Sequence, residues 1–179
     1  MKLYNVWFAP NTISNDDDFT QNRYDTYTSY YGGSIYCENS NIDIDRSNFI
    51  GSVAFSFGGC IASINSTMNI RETNFNNSIS ITDGGGAIYN SKGKLKIFHL
   101  KSAVFGGAIC MFNSVLNTTY TTYSISFAKY YGGAIYDFYG TLNLTRNWFY
   151  VSHALIGGAI YSRIPNSFNL YRNFFGDSY

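Results

Sequence analysis

The chain has 179 residues, a formal charge of +1, 13% charged residues and 45% hydrophobic ones. That length suits one domain, and the scattered lysines and arginines form no cluster that would draw nucleic acid or an anionic membrane electrostatically. No run of 18 apolar residues occurs, so neither a transmembrane helix nor direct membrane insertion by this segment is expected.

Taken from the N-terminus, Met1 to Phe8 lacks the apolar stretch of a signal peptide and aligns with Leu144-Thr145-Arg146-Asn147-Trp148-Phe149. It is expected inside the third side of a coil. Residues 1–31 read as a partial first coil and a polar loop. Asp16-Asp17-Asp18 in that loop lacks the spaced oxygen ligands of a calcium site and reads as solvated.

Residues 32–179 carry six copies of a glycine pair followed by a small residue and isoleucine, with first glycines at Gly32, Gly58, Gly85, Gly106, Gly132 and Gly157. The steps between them are 26, 27, 21, 26 and 25 residues by subtraction. A period in that range marks an array of stacked supersecondary units. Counting each first glycine as position 0, apolar residues recur at +10 (Ile42, Met68, Leu95, Leu116, Leu142), at +12 (Ile44, Ile70, Ile97, Leu144) and at +17 (Phe49, Phe75, Tyr123, Phe149). In the sixth copy these fall one place later, at Phe168, Leu170 and Phe175. Each repeat therefore has three short apolar stations with period-2 alternation, which predicts three strands. No 3.6-residue return segment supports a leucine-rich repeat, and no six-residue period supports a left-handed hexapeptide helix. The fold class expected is all-β: a right-handed parallel β-helix, a solenoid of about six to seven coils of roughly 21–27 residues. Residues 1–179 read as a single array and as a segment of a longer one.

Strand alternation sets the expected faces. Ile35, Ile61, Ile88, Ile109, Ile135 and Ile160 at +3 should form an internal ladder, with +1 and −1 also inward. Glycine at +1 then avoids collision with large residues beside it. Positions +2 and +4 should face outward, making Tyr36, Tyr89, Tyr136 and Tyr161 at +4 a shallow aromatic track. The short third coil, Gly85 to Phe105, should be pinched near Phe98 to Ala103 on its third side and lack the aromatic found there in other copies.

The Gly-Gly-Ala-Ile-Tyr motif with Asn-Phe about fifteen residues later (Asn48-Phe49, Asn74-Phe75, and the variants Asn147-Trp148-Phe149 and Asn173-Phe174-Phe175) resembles the chlamydial polymorphic membrane proteins. It is similar also to the adhesin-like surface proteins of methanogens and to repeat proteins of some parasitic protists. The fuller chlamydial form, Phe-x-x-Asn, is absent. The resemblance implies a pectin lyase-like right-handed β-helix displayed outside the cell, at the surface or secreted, often as an adhesin.

Many β-helices act on polysaccharides, so a lyase or hydrolase, or its glycan-binding module, is the alternative. Such chemistry needs acids converging on one face, with two carboxylates ~5–9.5 Å apart. The acids Glu38, Asp43, Asp45, Glu72, Asp83 and Asp137 fall at unmatched repeat positions and read as outward solvating charges. His99 and His153 are single, which favours neither a metal site nor a nucleophile-base pair. Cys37, Cys60 and Cys110 are odd in number and unmatched in position, so no disulfide framework is expected. No catalytic residue, metal or cofactor is assigned. The function expected is a non-enzymatic surface segment, a stalk whose tyrosine track binds glycans or cell-surface proteins and whose other partners are neighbouring coils.

Overall fold

A computed structural model of the chain describes residues 1–4, 7–8, 29–82, 84–98, 101–105 and 107–179. Every regular element among them is a strand, and the strands pair in parallel. Consecutive strands go to different sheets. The first side runs in six rungs from Ile35–Glu38 to Ile160–Arg163. The second runs in seven from Lys2–Tyr4 to Ser167–Tyr171, and the third in seven from Trp7–Phe8 to Phe174–Gly176. The protein is thus an all-β parallel solenoid with three strands per coil. Five complete turns join the six rungs of the first side, slightly fewer than the six to seven coils expected, because Met1 to Phe8 supplies rungs to the second and third sides. Their registers, Leu3 with Ile44 and Phe8 with Phe49, match the alignment with Leu144 and Phe149, but only Trp7–Phe8 lies on the third side as expected, Lys2–Tyr4 pairing on the second.

The isoleucines form one continuous register, Ile35–Ile61–Ile88–Ile109–Ile135–Ile160. The first five are buried, and Ile160 in the last rung is half-buried. Burying one such side chain is worth roughly 1.5–3 kcal/mol before entropy, and a one-residue slip would turn the whole ladder to solvent. On the third side the fully buried rings of Phe49 and Phe75, and of Tyr123 and Phe149, stack with centroids 4.7 Å apart.

Left-handed backbone forms the corners. At +7 stand Asn39, Asn65 and Asn113, and at +14 Arg46, Glu72 and Arg146, all with φ between 46° and 53°. Asparagine tolerates that region best among non-glycine residues, and its amide then bonds the next coil: Asn65 donates to Asn39 at 2.6 Å. The corner at position 0 demands glycine for two reasons, since Gly32 has φ +59° and a Cβ there would lie 2.0 Å from the Ile35 carbonyl oxygen.

Two expectations about this corner need correction. Position −1 points outward, not inward: Tyr31 and Tyr131 are exposed and Phe57 half-buried. Position +2 is buried, not outward: Cys60, Ala87, Ala108 and Ala134 belong to the core beside the isoleucines. The left-handed glycine breaks the chain direction after −1, and the first-side strands begin only at +3, so +2 lies outside the strand and its alternation does not apply there. Glycine at +1 is dictated by backbone rather than by large side chains, because a Cβ on Gly33 would sit 2.3 Å from the Gly59 oxygen and 2.4 Å from the Val53 oxygen.

The short third coil has a full third strand, Lys101–Phe105, which removes the expected dent. It pairs along Asn74–Ser80 with a register shift between Asn76 and Ser78, skipping the corner residue Asn77 that longer coils match. Ser102 does take the register position of Phe75 and Tyr123, as the missing aromatic required. His99, Asp83 and Asp16 to Asp18 lie outside the described residues.

Candidate functional site

The four tyrosines at +4 do lie on the first side, between the inward positions +3 and +5. Tyr36 is 50% exposed, and Tyr89, Tyr136 and Tyr161 are half-buried. The gaps in the column are Ala62 and Cys110, both buried. Alternation across the corner hid a second aromatic column, the outward −1 residues. Phe57 stacks on Tyr89 of the following rung at 4.4 Å, and Tyr131 meets Tyr161 of its following rung at 4.6 Å. Tyr31 links Phe57 (6.1 Å) to Tyr36 (6.2 Å), and Tyr136 stacks on Tyr161 at 5.6 Å. Where the pair is small, Gly84 meets Cys110, since a Cβ there would lie 3.4 Å from its sulfur. Among the described residues the track forms two aromatic groups, Tyr36–Tyr31–Phe57–Tyr89 and Tyr136–Tyr131–Tyr161, with Gly84 and Cys110 between them.

Ring orientation decides what these clusters can do. Phe57 and Tyr89 are inclined by 28°, and Tyr136 and Tyr161 by 11°. Rings stacked along the solenoid axis spend their faces on one another and turn edges and hydroxyls outward. Hydrogen bonding from phenol edges is then the available chemistry. The Tyr36 hydroxyl already donates to Glu38 at 3.3 Å, and partial burial pushes the Tyr136 phenol above its usual range, so it stays a donor.

The acids are placed differently from one another. Asp43 accepts from Asn69 at 2.7 Å, Asp45 faces Arg71 at 3.9 Å, and Glu72 pairs with Arg46 at 3.1 Å. Each is matched to a neighbouring coil by the solenoid step. Asp137, expected as an outward solvating charge, is instead fully buried. Position +5 points inward, and the Asp137 carboxylate accepts from Ser162 Oγ at 2.7 Å. It fits only because +8 is Gly140, whose Cβ would overlap the carboxylate; Asn90 and Gly93 repeat the pairing two coils earlier. Burial raises the pKa of Asp137, with Ser162 and the Gly140 N–H pulling it down.

All three cysteines are buried thiols, and none is joined in a disulfide. Cys60 contacts Ser78 Oγ at 2.8 Å, and burial pushes its thiol up to about 12, which keeps it protonated and unreactive. His153 is packed between Phe127 and Tyr179. No protein-family model, curated protein or solved structure matches the chain.

Proposed function

We propose that the chain is a non-enzymatic, adhesin-like segment of an extracellular β-solenoid, acting as a stalk and presenting its tyrosine clusters to glycans or cell-surface proteins. The observation that carries this reading is the paired outward columns, Tyr36–Tyr31–Phe57–Tyr89 and Tyr136–Tyr131–Tyr161. Repetition along a rigid axis lets weak contacts add. The non-enzymatic part is supported by the acids: Asp43, Asp45 and Glu72 are each spent on a partner in a neighbouring coil, and Asp137 is buried.

The test is binding to a glycan array and to cells by the wild type and by the fourfold variant with Tyr36, Tyr89, Tyr136 and Tyr161 changed to phenylalanine. Because edges and hydroxyls face outward, phenylalanine should lower binding as serine does, with the fold kept by the untouched isoleucine ladder. Full binding by the phenylalanine variant would refute recognition through hydroxyls. Glycan cleavage by the wild type would favour the alternative, a polysaccharide-active enzyme.

A further inference from the structure

Between the third and first sides the chain adds a short fourth face whose polarity is inverted. Ser52, Ala54 and Ser56 are buried there, while Val53, Phe55 and Phe57 point outward. One coil later Ser78 and Ser80 are buried, and Ile79 and Ile81 turn out. Beyond the short coil, Ser126 and Ala128 are buried under the exposed Ile125 and Phe127, and Ser152 under Val151 and Leu155. Small interior residues follow from geometry: the Val53 oxygen lies where a Cβ on Gly33 would need to be, so the two walls nearly touch. That crowding requires nothing apolar outside.

Ring contacts account for Phe55 and Phe57 and for one face of Phe127, but neither packing nor backbone preference accounts for Ile125, Val151 and Leu155. Leu155 is 76% exposed and Ile125 64%. Ile125 and Val151 hold φ of 51° and 50°, a left-handed conformation that β-branched residues disfavour, where earlier coils have Gly51 and Asn77. Between residues 51 and 156 the only charged side chain described on this face is Lys129, whereas the second side carries Asp43, Asp45, Arg71, Lys94 and Lys96. Four such rungs at ~4.8 Å and about six residues at ~3.3 Å give a strip of roughly 380 Å². That is the size of a functional apolar patch but well below the ~800 Å² per partner of a stable protein interface.

Independently of the tyrosine reading, we propose that this fourth face rests on a lipid bilayer, with Ile125, Phe127 and Leu155 entering the interfacial layer. The contact is one side chain deep and needs no membrane-spanning segment. With so little charge it depends on apolar area, so zwitterionic vesicles suffice and salt leaves binding unchanged. The test is co-flotation of the full chain with phosphatidylcholine vesicles. Ile125→Asn combined with Leu155→Ser should lower partitioning roughly tenfold or more. Its melting temperature should be unchanged or higher, because asparagine suits the left-handed corner. Leu155→Ser alone should lose part of the binding, and Lys96→Ser on the second side none. The proposal is overturned if the wild type does not float, or if it floats only with anionic vesicles at low salt. It is equally overturned if light scattering shows a dimer that the double variant dissolves, which would make a second copy the occupant.

Discussion

Ile109→Ala tests the ladder in its buried interior. Ile109 is 1% exposed, lies in register between Ile88 and Ile135, and belongs to the continuous core. Removing its outer carbons loses their transfer energy and leaves a cavity whose walls, fixed by rungs above and below, cannot close. Substitutions of this kind cost about 2–5 kcal/mol. For a chain of this size each 1 kcal/mol moves the melting temperature by roughly 2–4 °C, so a fall of about 4–20 °C is expected by circular dichroism. The same change at Ile160, half-buried in the last rung, should cost less than half as much. An array is held by nearest-neighbour terms, and Ile160 has a neighbouring rung on one side only. Equal losses at the two positions, or a loss below about 1 kcal/mol at Ile109, would refute the ladder as the main stabilising column.

The repeat made most of this fold legible. The recurrence of Ile35, Ile61, Ile88, Ile109, Ile135 and Ile160 three residues after each first glycine carries the register of the first side, and the +10, +12 and +17 stations carry the other two. What stayed hidden lies at corners. Strand parity is a rule about extended backbone, and one left-handed residue resets it, so Tyr31, Phe57 and Tyr131 came out on the surface and Cys60 and Ala108 inside. The reversed polarity of Ser52 to Phe57 was hidden for the same reason: apolar residues alternate there as in any strand, and only the wall approaching at Gly33 shows which set is inside. Asp137 could have been found from sequence. It is one of two large polar residues at +5, with Asn90, and these two copies alone have glycine at +8.

Two further substitutions probe polar groups in the interior. Tyr123 occupies the column of Phe49, Phe75 and Phe149, and among the described residues its fully buried hydroxyl makes no hydrogen bond of ordinary geometry, while Thr118 Oγ1 accepts from Asn147 at 2.9 Å. Tyr123→Phe should raise stability by about 1–3 kcal/mol, the desolvation penalty of an unsatisfied group, and a loss in urea denaturation would show that the hydroxyl is bonded. Asp137 gives the protein a pH dependence of defined sign. Burial raises its carboxyl pKa in the folded state, so the unfolded chain releases that proton first, near its ordinary value of about 4. The contribution of this group to stability is full below that pH and is lost as pH rises through the folded pKa. The readout is the difference between wild type and Asp137→Asn, in which every group common to the two proteins cancels. Asparagine keeps the shape and can still accept from Ser162 Oγ. The variant should gain on the wild type steadily from pH 4 upward and be the more stable of the two at pH 7. Parallel stability curves from pH 4 to 7 would mean that the Asp137 carboxylate is as well solvated in the folded chain as in the unfolded one, contrary to its burial.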